Sequence, residues 1–191
     1  MIEETLILIK PDGVARSLTG NVLTELAKLD FEIVGAKVLR VSRSLAEKHY
    51  ENLKDTPFFN GVVRYLMGEL HRKDRIIAFV YRGENAIQRI RELIGATDPN
   101  KADPITIRGK YGRIRAVDGV EIFENVVHAS ASPEEAEREI GLWFAENEIV
   151  RSKESRRDAA VRRTKARVER ARARKRAVKK TKKAKKTKTK A

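Results

Sequence analysis

The last part of this chain, residues 151–191, has almost no side chains from which a hydrophobic core could form. It contains 21 Lys and Arg residues against three Asp and Glu, whereas residues 1–150 contain 21 basic and 24 acidic residues. A segment with high charge and little apolar surface cannot offset the entropy that ordering its backbone would cost. The sequence therefore predicts a folded domain over residues 1–150 and a separate basic tail over residues 151–191 that is disordered or partly helical.

Residues 1–150 alternate between apolar runs typical of strands and spaced apolar positions typical of helices. Strands are predicted over residues 5–10, 31–41, 75–81 and 120–128. Helices are predicted over residues 19–29, 45–53, 58–67, 86–94 and 132–144. This order is compatible with a parallel α/β sheet or with a split βαβ, ferredoxin-like sheet, and periodicity alone does not choose between them.

Two segments are predicted to lack regular structure. Pro11-Asp12-Gly13 is a turn signal directly after the first strand. Residues 96–116 are polar and interrupted by proline and glycine, which predicts a long loop. A loop of this length inside a compact domain is more often functional than idle.

Several classes of protein are disfavoured by what the sequence lacks. Without cysteine the chain has no disulfide, no thiolate zinc site and no cysteine nucleophile. It has no signal-peptide pattern and no apolar run of roughly 18 residues, which predicts a soluble, cytoplasmic protein without a membrane span. It has neither a Walker phosphate loop nor a G-x-G-x-x-G turn, and no clustered metal-ligand spacing. Any Mg²⁺ would therefore be held mainly by substrate phosphates and water.

The residues that suit phosphate chemistry are one histidine and three cations. His128 ends the last predicted strand, just before a helix whose N-terminus would attract phosphate. Histidine is a competent nucleophile near neutral pH. Lys10, Arg91 and Arg108 could match phosphate oxygens. Each of these residues taken singly is more typical of a structural or surface position.

Five segments, taken together and in order, resemble the motifs of the nucleoside diphosphate kinase family. Residues 125–132, Asn-Val-Val-His-Ala-Ser-Ala-Ser, are similar to the active-site signature of that family. The other four are residues 9–13 (IKPDG), 49–59 (HYENLKDTPFF), 106–109 (TIRG) and 139–144 (EIGLWF). The resemblance covers residues 4–150, so it takes in the whole predicted domain.

This resemblance implies transfer of the γ-phosphate of a nucleoside triphosphate, typically ATP, to a nucleoside diphosphate. The reaction would be ping-pong, through a phosphohistidine on the pros nitrogen (Nδ1) of His128, with Glu139 orienting the ring. Lys10, Tyr50, Arg108 and Asn125 would surround the transferred phosphate and the ribose 3′-hydroxyl. The remaining implied roles are contacts to the other phosphates by Arg91 and Thr97 and stacking of the base on Phe58.

The same resemblance implies Mg²⁺ as cofactor and a ferredoxin-like α+β sandwich with a four-stranded antiparallel sheet. It also implies a homo-oligomer, with a hexamer favoured over a tetramer. The chain departs from the usual pattern at Ala131, where the family signature has aspartate. Segments 68–75 and 114–123 look lengthened. At Ala131 we expect weaker local hydrogen bonding without loss of activity. The two lengthened segments could alter the oligomer contacts or the rim of the site.

The basic tail lies outside the resemblance and is an electrostatic footprint for polyanions. Nucleic acid is the favoured partner, an anionic membrane surface is the second, and a functionless solubilising extension is the third. Because the tail contains no aromatic residue, binding to nucleic acid would be nonspecific in sequence. Two alternatives to an active kinase remain: a nucleic-acid-binding protein with the domain as scaffold, and another phosphohistidine enzyme. The absence of an Arg-His-Gly motif disfavours an enzyme like the histidine acid phosphatases.

Overall fold

A computed structural model of the chain describes residues 1–71, 73–117 and 120–151. The six strands of these ranges are β1 (Ile2–Ile9), β2 (Glu32–Arg40), β3 (Arg75–Glu84), β4 (Arg113–Val117), β5 (Val120–Glu124) and β6 (Val127–Ala129). The seven α-helices in the same ranges are α1 (Pro11–Ala15), α2 (Thr19–Ala27), α3 (Arg43–His49), α4 (Phe59–Leu66), α5 (Ala86–Ile94), α6 (Ile107–Tyr111) and α7 (Pro133–Trp143). Short 3₁₀ turns lie at Glu51–Leu53, Pro99–Lys101 and Glu146–Glu148.

The main sheet has four strands in the order β2-β3-β1-β6, and every neighbouring pair is antiparallel. This confirms the ferredoxin-like arrangement and excludes the parallel alternative for these strands. Strands β4 and β5 form a second, two-stranded antiparallel sheet. The short strand β6 pairs with β1 so that His128 lies opposite Leu8.

Strand β1 is buried on both faces, because helices cover both sides of the main sheet. Its side chains alternate between the two faces, so Leu6 and Leu8 join one hydrophobic cluster while Ile7 and Ile9 join the other. The first cluster includes residues from α3, α4 and α7, and the second includes residues from α2, α5 and α6. This two-sided burial explains why residues 6–9 of β1 form a continuous apolar run.

The predicted turn at residues 11–13 is wrong, because these residues form the start of α1. Proline is well tolerated at the first position of a helix, where its missing N–H has no intrahelical partner. Gly13 serves close packing here, since a Cβ at this position would lie only 3.0 Å from Val126 Cγ1. The Pro-Asp-Gly sequence thus reflects the start of a helix and a tight contact with Val126.

The predicted loop over residues 96–116 is also wrong in part. It contains helix α6 and most of strand β4. Thr106 caps α6 by accepting a hydrogen bond from the Gly109 N–H at 3.1 Å. Position 109 lies inside this helix and must be glycine, because a Cβ there would clash with the Asp103 carbonyl. The glycine that suggested a loop is thus required by close approach of two backbone segments.

The single strand predicted over residues 120–128 is two strands in different sheets. Strand β5 ends at Glu124, and β6 begins at Val127. Between them Val126 has a φ of 66°, a conformation that is rare for a β-branched residue. Its N–H donates to Asp12 Oδ2 at 3.0 Å, and its carbonyl accepts from the Lys10 N–H at 2.8 Å. Tertiary hydrogen bonds therefore make the break, where the local sequence favours extension.

Residues Met1–Val150 form one compact unit. The predicted disorder or partial helix of the tail lies outside the described residues, so the division into two domains stays a prediction. Within the described ranges, the helices are too short or too polar to cross a membrane.

Candidate active site

Strand β6 and helix α7 bring His128 and Glu139 together. His128 lies on β6 and Glu139 on α7, which Ser132 caps by accepting from the Glu135 N–H at 3.2 Å. Nε2 of His128 is 2.9 Å from Oε2 of Glu139. When Nε2 donates to the carboxylate, Nδ1 carries the lone pair. The pair therefore sets the tautomer in which Nδ1 is the nucleophilic nitrogen.

Glu139 is buried but is held in the ionised form. Burial raises its pKa, but the hydrogen bond and charge of His128 and the hydrogen bond from Ser130 outweigh burial and leave the pKa lowered. The Ser130 hydroxyl donates to Oε2 at 2.6 Å, and Arg138 Nη2 lies 3.5 Å from Oε1. The carboxylate is thus fixed before any ligand binds, which is what an orienting partner for a histidine needs.

A second histidine, His49, packs against the first, and the sequence had given it no role. The rings of His49 and His128 meet edge to face with their centroids 4.4 Å apart, and Tyr50 meets His49 in the same way at 4.7 Å. Trp143 Nε1 donates to His49 Nδ1 at 3.2 Å. Burial, followed by the nearby charges of His128 and Lys10, keeps the pKa of His49 well below its ordinary value. A neutral aromatic wall therefore supports His128.

Lys10 and Asn125 form a second group. Lys10 Nζ donates to Asn125 Oδ1 at 2.7 Å, and Asn125 Nδ2 donates to the Thr97 carbonyl at 2.9 Å. Burial and the neighbouring charge of Arg108 lower the pKa of Lys10 to about 7, against the opposing effect of Asp12. A buried ammonium with one amide acceptor is poorly solvated. Lys10 is therefore suited to an anionic ligand.

Arg108 projects from α6 into the same region. Its Nη1 donates to the Gly95 carbonyl and its Nη2 to the Val127 carbonyl, both at 2.9 Å. Burial, then repulsion by Arg91, lowers the pKa of Arg108 to about 10. Its Nε is buried without a hydrogen-bond partner in the described part of the chain. A spare buried donor beside a second guanidinium indicates an anion site.

The nine residues predicted from sequence are thus brought together unequally. One group surrounds His49 and consists of His128, Glu139 and Tyr50. A second group is a hydrogen-bonded chain from Lys10 to Asn125 and on to the Thr97 carbonyl. Arg108 contacts the strand of His128 through the Val127 carbonyl. Arg91 acts on this group through its positive charge, which helps to lower the pKa of Arg108. Phe58 precedes α4 with 49% of its surface exposed, where its ring is accessible to a ligand.

Sequence reasoning missed Ser130, His49 and Trp143 as parts of this arrangement. Ser130 lies inside the matched signature, and His49 and Trp143 lie in two of the other matched segments. Their positions in those segments were the only signal. Their roles depend on side chains far away in the chain, such as the bond between Trp143 and His49.

The family profile described as nucleoside diphosphate kinase matches residues 3–149 of this chain. A nucleoside diphosphate kinase of Pelotomaculum thermopropionicum is 44% identical over 149 residues, which are 78% of this chain and 92% of that protein. Another, of Pyrococcus furiosus, is 43% identical over 148 residues, which are 78% of this chain and 86% of that protein.

Solved structures agree in fold. A transition-state mimic of the Borrelia burgdorferi nucleoside-diphosphate kinase with bound vanadate and ADP superposes with a TM-score of 0.69 at 35% identity. It covers 80% of this chain and 92% of that chain. A Halobacterium salinarum nucleoside diphosphate kinase in complex with CDP gives a TM-score of 0.69 at 36% identity, with 80% and 93% of the two chains covered.

Proposed function

The chain belongs to the nucleoside diphosphate kinase family, and on that premise we propose that it transfers the γ-phosphate of a nucleoside triphosphate, typically ATP, to a nucleoside diphosphate through a phosphohistidine at His128. The observation that carries this proposal is the 2.9 Å contact between His128 Nε2 and Glu139 Oε2. It supports Nδ1 as the attacking atom, because the carboxylate occupies the other ring nitrogen.

The proposed reaction is two successive displacements at one site. In the first, the Nδ1 lone pair of His128 attacks the γ-phosphorus, and the bond from that phosphorus to the bridging oxygen breaks. The nucleoside diphosphate leaves with the bond electrons. In the second, a terminal oxygen of the acceptor diphosphate attacks the phosphorus, and the P–N bond breaks to restore the free imidazole. Splitting the transfer lets one site serve each nucleotide in turn.

The cations are proposed to stabilise the charge on the migrating phosphoryl group. Phosphoryl transfer asks mainly for positioning and charge stabilisation. Lys10 and Arg108 are buried beside the strand that carries His128, and we assign them to the transferred phosphate with Asn125. Burial raises the pKa of Tyr50, so its hydroxyl stays protonated and can donate to the phosphate or the ribose 3′-hydroxyl.

The rest of the nucleotide is assigned to more peripheral residues. Arg91, whose charge acts on Arg108, and Thr97 are proposed to bind the other phosphates. The exposed ring of Phe58 is proposed as the platform for the base. Stacking tolerates different bases because every base presents a π-face, which fits an enzyme that accepts many nucleotides.

Mg²⁺ is proposed as the cofactor, held by the nucleotide phosphates and water. In the described ranges, one group of three side chains has metal-ligand character, formed by His49, His128 and Glu139. It suits Mg²⁺ poorly, because Mg²⁺ prefers oxygen ligands and His128 Nε2 already contacts Glu139. When bound, the ion would offset negative charge on the phosphates that Lys10 and Arg108 also contact.

A coupled spectrophotometric assay with ATP as donor and dTDP as acceptor tests the proposed function. We expect turnover typical of a kinase for the full chain with Mg²⁺ present. A folded protein without turnover would contradict the proposal and favour the alternative of a nucleic-acid-binding protein built on this domain. The cytoplasmic location and the homo-oligomer, with a hexamer favoured over a tetramer, remain predictions of the family resemblance.

The lowered pKa of Lys10 predicts that nucleotide binding takes up a proton above pH 7. The free enzyme loses the charge of Lys10 as pH rises through about 7, whereas the γ-phosphate of a bound triphosphate favours the charged form and raises that pKa. The Kd for a non-hydrolysable ATP analogue should therefore increase with pH above 7, by at most about tenfold per pH unit. Below pH 7, the titration of Lys10 should leave this Kd unchanged.

Calorimetry of the binding of this ATP analogue at pH 8, in two buffers with different ionisation enthalpies, measures the proton uptake. At pH 8 the nucleotide is already ionised, because phosphate esters titrate near about 6. The Lys10→Gln variant is the matched control and should take up less. Equal uptake by the variant and the wild type would show that Lys10 is not the titrating group.

We also propose that the tail, residues 151–191, binds nucleic acid without sequence specificity. The observation that favours this is the excess of 18 positive charges in that segment, against an excess of three negative charges in residues 1–150. Each phosphate that a lysine or arginine neutralises releases a counterion, so binding should weaken steeply with salt. Several tails on one oligomer would strengthen attachment through effective concentration.

Truncation of the chain after Val150, the last residue of the compact unit, tests the separation of tail and enzyme. We expect kcat/KM within about twofold of the full chain, because the family profile ends at residue 149, before the tail begins. Affinity for DNA or RNA should be lost, as measured by salt titrations of both proteins. Retained nucleic-acid binding would place the interface elsewhere, and loss of catalysis would show that the tail belongs to the enzyme.

A further inference from the structure

Glu124 is a carboxylate with no exposed surface that meets three basic side chains. Arg113 Nε donates to its Oε2 at 2.6 Å, and His71 Nε2 lies 2.8 Å from its Oε1. Arg115 Nε lies 2.6 Å from the same Oε1 as an ion pair, without the geometry of a hydrogen bond. Burial raises the pKa of Glu124, but the hydrogen bonds from Arg113 and His71 outweigh burial and lower it. We call these four residues the Glu124 cluster.

The Glu124 cluster joins the β4–β5 hairpin, in which Arg113 lies opposite Glu124, to the turn after α4. Arg113, Arg115 and Glu124 belong to the β4–β5 hairpin, which forms its own sheet. His71 lies in the turn after α4, and Arg115 Nη2 also donates to the Leu70 carbonyl there at 3.0 Å. A buried ion cluster is a weak source of stability, since desolvation offsets much of the attraction. Its position next to the candidate active site therefore suggests a different role.

The first link to the site is covalent. Glu124 is followed by Asn125, whose side chain bonds Lys10 Nζ and the Thr97 carbonyl. Asn125 and Val126 lie between the β5 and β6 ladders. The position of Asn125 thus depends on its two neighbours, Val126 being held by Asp12 and Glu124 by the cluster.

The second link passes through Tyr65. Its ring lies 5.3 Å from the ring of His71, and its hydroxyl donates to Asp12 Oδ1 at 2.6 Å. Lys10 Nζ lies 5.3 Å from the centroid of the same Tyr65 ring. The cluster therefore reaches the Lys10 ammonium by two routes, through the neighbouring residue Asn125, whose side chain bonds Lys10, and through the packing of Tyr65.

We propose that Glu124 is a positioning residue: with His71, Arg113 and Arg115 it fixes the strand junction that presents Asn125 and Lys10 to the nucleotide. The inference rests on the proposed function, in which Asn125 and Lys10 act at the ribose 3′-hydroxyl and the transferred phosphate. Arg115, which belongs to the lengthened segment 114–123, would then support the site instead of only lining its rim. A small displacement of positioned groups is costly, about 100-fold in rate for roughly 1 Å.

The test is the Glu124→Gln variant of the full chain, which keeps the size of the side chain and removes its charge. We expect kcat/KM with dTDP to fall about 10–100-fold. We also compare two acceptors by dividing kcat/KM for dTDP by kcat/KM for 3′-deoxythymidine diphosphate. This ratio should fall about tenfold in the variant, which corresponds to the loss of one hydrogen bond of about 1.4 kcal/mol. The deoxy acceptor has no hydroxyl for Asn125 and Lys10 to contact, so it should lose less.

The matched control is Glu25→Gln, because Glu25 is also a buried carboxylate with two basic partners, Lys28 and Lys110. It should leave the acceptor ratio unchanged. If Glu124→Gln does not fold, Arg113→Gln decides on the same criteria, since it leaves Glu124 with two partners. We expect it to shift the ratio in the same direction by a smaller factor.

The outcomes separate the two levels of the proposal. Wild-type protein that fails to phosphorylate dTDP would contradict the proposed function and this inference with it. An active wild type with a Glu124→Gln variant of unchanged kinetics would contradict the inference alone. Equal losses on both acceptors, with the ratio preserved, would also overturn it, because they would mean that Glu124 only supports the fold.

Discussion

We expect the His128→Ala variant to transfer no measurable phosphate between nucleotides. Removing the nucleophile from a covalent mechanism typically costs about 10⁴–10⁶-fold in turnover, and no chemistry remains through which a second half-reaction could run. The fold should persist, because Glu139 keeps its hydrogen bond from Ser130 and its ion pair with Arg138 when the imidazole is lost. The buried carboxylate of Glu139 therefore keeps a hydrogen-bond donor and a positive charge in the variant.

The coupled assay measures this loss, with circular dichroism and thermal unfolding to show that the variant is folded. His128→Gln serves as a second variant, since it retains bulk and polarity at the position. A folded variant that keeps more than about one per cent of wild-type turnover would remove His128 from the role of nucleophile, because residual rates without the nucleophile are far lower.

Arg108→Ala should lower kcat/KM by about 10²–10³-fold, the usual effect of losing one donor that stabilises developing charge. The unpaired buried Nε of Arg108 is a donor that we assign to the transferred phosphate. Part of the effect will be structural, since the same guanidinium holds the Gly95 and Val127 carbonyls. Arg108→Lys keeps a charge without the planar fork, so it should recover only part of the loss.

The control for Arg108 is Arg82→Ala, which removes an exposed pairing with Glu32 at 3.4 Å and should leave kcat/KM nearly unchanged. Kinetics must be measured well below the thermal midpoint of each variant, so that the unfolded fraction does not enter. Near-normal kcat/KM for a folded Arg108→Ala variant would show that the guanidinium does not touch the phosphate.

Much of the main sheet could be predicted from local patterns. The β1 run is apolar at each of residues 6–9 because both faces of the strand are covered. The local patterns also predicted the start of β3, the full span of α5 and the capped start of α7, whereas β3 extends three residues beyond its predicted end. These elements follow the pattern because their local preference and their burial agree.

The strand junction and the Glu124 cluster could not be predicted in this way. Val126 is a strand-forming residue by propensity, and its positive φ depends on Asp12, 114 positions earlier in the chain. Glu124 has the sequence pattern of an exposed strand residue, yet its partner His71 is 53 positions away. Such contacts leave no local signature, because each residue type is ordinary on its own.

The candidate site was predicted through motifs, and the motifs do not contain its geometry. His128 and Glu139 are 11 positions apart, and their 2.9 Å contact depends on β6 pairing with β1 and α7 packing behind it. The support from Ser130 and His49 also came only from the structure. The family motifs mark which residues matter, whereas the orientation of Nε2 indicates why Nδ1 would be the reacting atom.

Isolation of the phosphorylated enzyme shows whether phosphate passes through His128. The full chain is incubated with Mg²⁺ and ATP labelled in the γ-phosphate, freed of nucleotide, and then mixed with unlabelled dTDP. We expect an acid-labile phosphate on Nδ1 of His128, identified by phosphorus NMR and peptide mass spectrometry, that passes quantitatively to dTDP. Steady-state transfer without any labelled enzyme, or label on another residue, would exclude His128 as the phosphate carrier.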